Sequence, residues 1–275
     1  MRKTFLAGSA LALLMGVTAA EAADLTAPVY KAAAVAPAWN WSGFYFGVNA
    51  GALTDHGDVS QRSVFNQPRF APFERVFGDT FAKTGVIAGG QVGYNWQSGI
   101  TVLGLEADAD WSNLKNTTGV INDPFFFGKN STGTITSRID WLATFRGRAG
   151  IAATPNLLLY VTGGAAAAGL KVSYSGVSAD TPPFNAPPFT LPPQNLSSSK
   201  TLFGWTAGFG AEFALGSNWS VKGEYLHVAF DSATPINADF SPSLSSFNVA
   251  GATGTGTIKV NNSLDLIRFG LNYKL

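Results

Sequence analysis

Residues 137–151 alternate between apolar and polar side chains over most of their length. The apolar set is Ile139, Trp141, Ala143, Phe145, Ala149 and Ile151, and the polar set is Arg138, Asp140, Thr144, Arg146 and Arg148. A helix would mix these sets around its circumference, whereas a β-strand places successive side chains on opposite faces. The pattern therefore predicts a strand with one apolar face and one charged face.

A second stretch, residues 100–111, carries the opposite charge on one face. Here Glu106, Asp108 and Asp110 alternate with threonine, leucine, alanine and tryptophan side chains. A charged face is stable against a core only where opposite charges or hydrogen bonds meet it. We therefore expect the acids of this strand to face the bases of residues 137–151.

A sheet with one charged and one apolar face fits two architectures. In a soluble sandwich the charged face meets water and the apolar face packs against a second sheet. In a membrane barrel the apolar face meets lipid and the charges fill the lumen. An exported soluble sandwich therefore stands as the alternative to a membrane barrel.

The start of the chain favours the barrel. Arg2 and Lys3 precede an apolar run over residues 5–17 and an Ala-Glu-Ala triplet at residues 20–22. This order is typical of a secretory signal peptide, with cleavage expected before Ala23. The apolar run is too short to cross a bilayer of about 30 Å as a single anchor. We therefore predict that the mature chain is exported.

Composition narrows the class further. After the signal peptide no segment holds about twenty uninterrupted apolar residues, so the sequence predicts no helical membrane span. Since there is no cysteine, an exported domain of this length must be held together by a continuous hydrogen-bonded sheet and not by disulfides. The net charge is +1 and charged residues make up 13% of the chain, which indicates neither a nucleic-acid partner nor a polybasic membrane-binding surface.

Alternating stretches recur along the rest of the chain and predict eight strands. They lie at residues 42–52, 84–97, 100–111, 137–151, 157–172, 201–215, 219–230 and 257–275. Tight turns are expected at 98–99, 154–156 and 216–218, and long loops at 53–83, 112–136, 173–200 and 231–256. Short and long connections alternate in this way in outer-membrane barrels.

We therefore predict an all-β fold, an eight-stranded antiparallel up-and-down transmembrane β-barrel over residues 42–275. It follows a signal peptide at residues 1–22 and an Ala/Pro-rich periplasmic N-terminal segment at residues 23–41. Barrels of this kind carry aromatic girdles at the two membrane interfaces. The predicted girdle comprises Trp41, Phe44, Tyr94, Trp96, Phe213, Trp219, Phe269 and Tyr273 near the tight turns or termini, with Trp111 and Trp141 toward the other rim.

Several motifs together are similar to a known family. They are WSGFYFGVNAG near the start, GYNWQ before a tight turn, RGRAGI followed by PNLLLYVTGG, GWTAGFGAEF before SNWSVKGEYLHV, and the terminal IRFGLNYKL. The chain resembles the small outer-membrane β-barrel proteins of alphaproteobacteria, which are relatives of the OmpA transmembrane domain and are labelled porin-family or surface-immunogen proteins. The likeness covers all eight predicted strands and the signal peptide.

This resemblance implies an outer-membrane location, a role in envelope integrity and surface interaction, minor pore activity and, in some relatives, haem binding. We also expect contact with outer-membrane lipid and lipopolysaccharide, with the barrel-assembly machinery through the C-terminal strand, and with peptidoglycan or host surfaces, where any cell-wall contact would come from residues 23–39. We expect a monomer. Two features depart from the family pattern: the chain ends in Leu275 where such barrels usually end in Phe, and residues 173–200 are rich in proline.

The predicted lumen carries a set of eleven charged residues. They are Glu106, Asp108, Asp110, Arg138, Asp140, Arg146, Arg148, Glu212, Lys222, Glu224 and Arg268. An eight-stranded barrel is only wide enough for its interior to be filled by side chains, so this set is expected to form a salt-bridged plug. The alternative is a narrow, gated path for ions or small solutes, in which these pairs exchange partners.

The sequence offers few residues suited to catalysis or to binding a cofactor. A lipid-modifying barrel enzyme needs a nucleophile and an activating base. His227 is predicted to face lipid near the outer rim, and Ala229 stands two residues on, where histidine-serine deacylase barrels carry a serine. His56 lies in a predicted loop beside Asp55 and Asp58. Since the two histidines have no paired spacing, we expect no catalytic residue, no metal site, no haem and no other cofactor.

Overall fold

The computed structural model describes residues 39–67, 70–121, 132–177, 179–180, 189–190, 194–231, 233–240 and 253–275. Eleven strands occur in these ranges. They are β1 (Gly43–Gln67), β2 (Phe70–Ser98), β3 (Thr101–Ile121), β4 (Thr132–Thr154), β5 (Leu157–Val177), β6 (Ala179–Asp180), β7 (Phe189–Thr190), β8 (Gln194–Gly216), β9 (Trp219–Phe230), β10 (Ala233–Phe240) and β11 (Thr253–Lys274). No helix within these ranges is long and apolar enough to span a membrane.

Eight of the strands close into a ring. The order is β1-β2-β3-β4-β5-β8-β9-β11, and β11 pairs antiparallel with β1 to complete it. Short β10 follows β9 in the chain and pairs with the outer part of β11, while β6 and β7 form a separate two-stranded pair. At the seam Leu275 N donates to Phe44 O over 2.9 Å. The predicted eight-stranded antiparallel barrel is therefore confirmed.

One end of the barrel is made by tight turns at residues 99–100, 155–156 and 217–218. Ser217 and Asn218 have φ values of 48° and 71°, the left-handed backbone that short hairpin turns need to match the twist of their strands. We refer to this end as the turn end and to the opposite one as the outer end.

The expectation of four long loops is wrong over most of their length. For example, β1 runs to Gln67 and β2 begins at Phe70, where a loop over residues 53–83 was expected. Strands likewise continue into the other three predicted loops, whose residues 122–131, 181–188 and 241–252 lie outside the described ranges. Beyond the apolar wall the strands lose their alternating pattern, because an outward face that meets water accepts polar side chains of any kind. The strands nevertheless continue, since the hydrogen bonds between them are made by the backbone and do not depend on the side chains.

The outer wall of the turn-end half is apolar, as a lipid-facing surface requires. Phe46, Val48, Val92, Leu105, Phe145 and Phe209 are among its exposed side chains. Of the predicted girdle, Phe44, Trp96, Trp111, Trp141, Phe213, Trp219 and Phe269 are exposed on this wall, and Tyr94 and Tyr273 are partly exposed. Ring contacts of 4.6 Å between Phe44 and Tyr94 and of 4.7 Å between Tyr94 and Trp96 join part of the girdle.

Trp41 departs from the girdle prediction. It is only 3% exposed and packs inside the turn end of the barrel against Val102 and Leu158. Its backbone N donates to Gln97 Oε1 over 2.7 Å, which turns the chain across the mouth before β1 begins. The prediction that Trp41 faces lipid because it lies next to a strand is therefore wrong.

Candidate functional site in the barrel interior

The interior of the barrel is divided into three layers. At the turn end lies an apolar layer of Trp41, Val102, Leu158, Tyr160 and Ala214, with Trp39 and Ala152 packed against it. The middle layer is charged. The layer toward the outer end is apolar again and contains Leu53, Ile87, Leu114, Ile135, Ile139, Leu142, Ala166, Ala168, Leu170, Val172, Tyr174, Leu202, Leu226, Val228, Leu264 and Leu266.

The charged residues of the middle layer point inward because side chains alternate between the two faces of each strand. On β9 the inward residues are Ser220, Lys222 and Glu224, and the next two inward positions are Leu226 and Val228. The same change from polar to apolar occurs on β11 between Arg268 and Leu266. The structure places nine of the eleven predicted lumen charges in this layer, at Glu106, Asp108, Asp110, Arg146, Arg148, Glu212, Lys222, Glu224 and Arg268.

Two buried arginines form the centre of the network. Arg146 Nη1 donates to Glu224 Oε2 over 3.0 Å, and its Nη2 donates to Asp108 Oδ2 over 2.9 Å and also to Glu106. Arg268 donates to Glu224 Oε1 over 2.6 Å and to Asp110 Oδ2 over 2.8 Å. Each arginine thus contacts three carboxylates, since Arg268 Nη2 also reaches Asp108 Oδ2 over 2.9 Å.

Lys222 and Arg148 extend this centre toward the turn end. Lys222 Nζ donates to both carboxylate oxygens of Glu106, over 2.8 and 2.9 Å. Arg148 Nη2 donates to Glu212 Oε2 over 2.7 Å, and its guanidinium carbon lies 4.1 Å from the centroid of the Tyr160 ring. Stacking on the ring covers one face of the cation while its edge pairs with an acid.

Neutral polar groups connect the charges to the remaining strands. Tyr45 on β1 donates to Glu106 Oε2 over 2.7 Å, and Tyr160 on β5 donates to Glu224 Oε2 over 3.3 Å. Gln91 on β2 donates to Asn272 Oδ1 over 2.6 Å, and Asn272 Nδ2 donates to Glu212 Oε1 over 2.9 Å. The interior network therefore links all eight strands of the ring.

Inward-facing glycines supply the space for these long side chains. A Cβ added at Gly93 would lie 2.3 Å from Tyr45 Oη, and one at Gly89 would lie 2.1 Å from Asp110 Oδ1. Real Cβ atoms do not approach other heavy atoms this closely, so a larger residue would displace Tyr45 or Asp110. The glycine content of β2 is thus part of the site.

Arg138 and Asp140 do not belong to the interior network, which corrects the sequence expectation. Ile139 pairs with Leu170 but Trp141 pairs with Gly169, so Asp140 is an extra residue in β4 relative to β5. Such a bulge reverses which side chains face inward. Beyond it Ile139 is buried and Arg138 is exposed, where it pairs with Asp140 over 3.3 Å.

Comparisons with known proteins agree with this architecture. The family model for the outer membrane protein beta-barrel domain matches residues 9–263. The chain belongs to this family. It is 32% identical to the 31 kDa outer-membrane immunogenic protein of Brucella melitensis biotype 1, over 94% of this chain and 95% of that protein. It is 31% identical to the 22 kDa outer membrane protein of Rhizobium leguminosarum bv. viciae, over 73% and 69% of the two chains.

The solved structures that this member of the outer-membrane barrel family resembles include two bacterial proteins. OprG from Pseudomonas aeruginosa is 12% identical, with 85% of this chain and 97% of that chain covered and a TM-score of 0.38. Ail of Yersinia pestis is 10% identical, with coverage of 81% and 99% and a TM-score of 0.30. The family membership and the Brucella and Rhizobium relatives place this protein in the outer membrane.

Sequence reasoning missed the outer apolar layer of this outer-membrane barrel. Leu226, Val228, Leu264 and Leu266 continue the inward parity of the charged residues on β9 and β11, and this continuation was the available signal. It also missed Asp55, which is 2% exposed, because β1 was expected to end before it.

The two histidines lie together on the outer wall, and His56 is part of β1 and not of the loop in which it was expected. His227 Nδ1 lies 2.8 Å from Asp265 Oδ1, and His56 Nδ1 lies 3.3 Å from Asp265 Oδ2. Tyr225 Oη donates to Asp265 Oδ1 over 2.6 Å. Among the residues that the structure describes, no group of three or more His, Cys, Asp or Glu side chains has the geometry of a metal site.

Proposed function

We propose that this outer-membrane barrel is a structural envelope protein with a closed lumen, which stabilises the membrane and presents its outer end to the surroundings. The observation that carries the proposal is the complete burial of Arg146 and Arg268, with side-chain exposures of 1% and 0%, each held by three carboxylates. Opening a path through them would leave desolvated charges without partners, which costs several kcal/mol for each ion.

The two apolar layers support the same function. A gated diffusion path for ions or small solutes would have to pass the side chains of Leu158 and Trp41 at the turn end and those of Leu226 and Leu266 beyond the charges. An ion crossing these layers must lose most of its hydration shell for few ligands, since Asp55 is the one buried carboxylate at the level of the outer apolar layer among the residues described. The proposal therefore favours a structural barrel over the alternative of a small porin.

A deletion strain distinguishes these two functions. A structural role predicts that cells without the protein leak periplasmic enzymes and become sensitive to detergent, while the uptake of small solutes is unchanged. Re-expression of the wild-type chain restores the barrier. The opposite pattern, slower uptake with an intact barrier, would support the porin.

We further propose that the exposed outer end serves surface interaction.

We also propose that the barrel-assembly machinery recognises the last strand. β11 closes the ring against β1 from Lys274 to Thr253, so assembly is complete only after this strand is placed. Truncation of the last three residues is expected to reduce the folded fraction in the outer membrane, measured by heat-modifiable gel mobility. We also propose that any contact with peptidoglycan is made by residues 23–39.

A further inference from the structure

Three cations stand side by side on the outer wall of the barrel. Lys115 on β3 is the cross-strand partner of Arg138 on β4, and Arg138 is the partner of Lys171 on β5. All three side chains are exposed. We call this set the basic row. It is independent of the interior network, and it does not depend on whether the lumen conducts.

The bulge at Asp140 creates the basic row. If the alternation of Arg146 and Arg148 continued without interruption, Arg138 would point into the lumen. The extra residue in β4 turns Arg138 outward between Lys115 and Lys171, and Ile139 takes the inward position. Bulges commonly redirect a side chain in this way next to functional sites.

The basic row is unfavourable for the isolated barrel. Directly opposed side chains on neighbouring strands have Cβ atoms about 4.5–5.5 Å apart, and like charges at that separation destabilise a sheet. On β3, β4 and β5 as described, Asp140 is the one acidic residue that is not buried. Its ion pair with Arg138 joins side chains that are 44% and 51% exposed, so it offsets little of the repulsion.

The basic row lies just beyond the apolar wall. Trp111 and Trp141 are cross-strand partners, both exposed, and the Lys115 and Arg138 pair follows them toward the outer end. Interfacial aromatics of this kind mark the level of lipid headgroups. Beside the row is a recess of about 200 Å³ whose lining includes Trp141, Lys171 and Lys200 and also Asp140, the partner of Arg138. Cations and an aromatic ring thus meet at the headgroup level.

We propose that the basic row binds the phosphate groups of a phosphorylated glycolipid in the outer leaflet of the outer membrane. Phosphate oxygens between the three cations replace their mutual repulsion with charge-assisted hydrogen bonds. Arg138 presents five N–H donors in a planar fork suited to phosphate, and the lysines contribute point charges on both sides. The acyl chains of the same lipid lie along the apolar wall below Trp111 and Trp141.

The position of the basic row favours a membrane lipid over a soluble polyanion. A soluble ligand needs only exposed cations, which occur elsewhere on the outer wall, as at Lys259 on β11. A membrane glycolipid places its phosphates at one depth in the membrane. The three cations of the basic row are cross-strand partners on neighbouring strands at the edge of the apolar wall, so they too lie at one level.

The test compares the full-length folded protein with the triple variant Lys115→Gln/Arg138→Gln/Lys171→Gln. The probe is diphosphorylated lipid A in phosphatidylcholine vesicles, and the measurement is the urea midpoint of barrel unfolding with and without it. In phosphatidylcholine alone the triple variant is expected to be at least as stable as the wild type, because the repulsion is gone. With lipid A the wild type gains stability by ligand binding, whereas the variant does not.

Binding of lipid A measured by titration is expected to weaken about tenfold or more in the triple variant, equivalent to the loss of charge-assisted hydrogen bonds. The matched control is Lys259→Gln, an exposed cation on another strand, which retains wild-type binding. Dephosphorylated lipid A is expected to give no stabilisation.

Three results would overturn the proposal. The first is equal stabilisation of the wild type and the triple variant by lipid A. The second is equal stabilisation of the wild type by inorganic phosphate at the same phosphate concentration, which would indicate an anion site and not a lipid site. The third is loss of heparin binding in the triple variant with unchanged lipid A binding, which would assign the basic row to a soluble polyanion.

Discussion

At the scale of single residues, the interior network is stabilised only as a complete set. Arg146 and Arg268 share Asp108 and Glu224, so each of these two carboxylates is paired with more than one cation. Buried pairs of this kind contribute little relative to a well-packed apolar core, yet removal of one partner leaves a desolvated charge. Single substitutions should therefore be costly even though the network itself is not a large source of stability.

Replacement of Lys222 by methionine tests this at one cation. Lys222 is buried against Glu106 and Glu224, and methionine keeps most of its length without its charge. We expect Lys222→Met to lower the free energy of unfolding by about 3–5 kcal/mol. The measurement is urea unfolding in phosphatidylcholine vesicles.

The control for this substitution is Lys259→Met, at an exposed position, for which a change within about 0.5 kcal/mol is expected. The double variant Lys222→Met/Glu106→Gln should recover part of the loss, because removing one acid together with one cation restores the balance of charges in the interior network. Equal effects of Lys222→Met and Lys259→Met would contradict the account of the network.

A second residue prediction concerns the space left by Gly93. Its added Cβ would collide with Tyr45, which donates to Glu106 and accepts from Arg148 Nη1 over 3.0 Å. Gly93→Ala should destabilise the barrel by about 1–3 kcal/mol. At Gly147 the nearest atom to an added Cβ is 3.9 Å away, so Gly147→Ala serves as the control and should be near neutral. The measurement is the urea midpoint of unfolding in phosphatidylcholine vesicles, and a lower midpoint for Gly147→Ala than for Gly93→Ala would refute this prediction.

Most interior residues could be predicted from the sequence because alternation along a strand assigns them to a face. Glu106, Arg146 and Glu224 were placed inward on that basis, and the structure has them inward. The acids of β3 were expected to meet the bases of β4, and Arg146 contacts Glu106 and Asp108. Partners across the lumen, such as Glu224 for Arg146, could not be predicted, since alternation does not specify which strands meet there. The interior position of Trp41 was missed because it precedes β1, where no alternation constrains it.

At the scale of elements, alternation along a strand predicts which side chains face inward only as far as the next bulge. A single extra residue at Asp140 reverses the faces of β4, and no glycine or proline marks the reversal in the sequence. The same limit explains the strand lengths, because β1 and β2 extend beyond the membrane through stretches without alternation. Strand ends and bulges depend on backbone pairing with neighbours that are distant in the sequence.

The chain has no cysteine, so single-cysteine labelling can test the bulge directly. We expect Arg138→Cys to react rapidly with a membrane-impermeant maleimide in folded protein, because the side chain is exposed, and Ile139→Cys to be protected, because it is 1% exposed. The rates are measured by mass spectrometry in vesicles.

Ser137→Cys supplies the matched control, since Ser137 is 6% exposed and should be protected like Ile139. An unbroken alternation from Arg146 predicts the reverse, with Ser137 and Ile139 outward and Arg138 inward. Faster labelling at Ser137→Cys than at Arg138→Cys would therefore exclude the bulge.

At the scale of the whole molecule, the barrel is closed by two apolar layers on either side of a charged one. The eight-stranded antiparallel ring follows from eight alternating stretches joined in turn by tight turns and long connections, and this part was predictable from the sequence. The closure was less predictable, because a polar lumen was expected throughout, and the inward leucines of β9 and β11 fill its outer part.

Single-channel recording shows whether ions pass through this interior. Purified protein, shown to be folded by heat-modifiable mobility, is inserted into a planar bilayer. The packed layers predict no reproducible conductance steps in the wild type at neutral pH. Regular steps whose amplitude changes in Arg146→Gln or Glu106→Gln would show that ions pass the charged layer, and they would contradict the closed barrel.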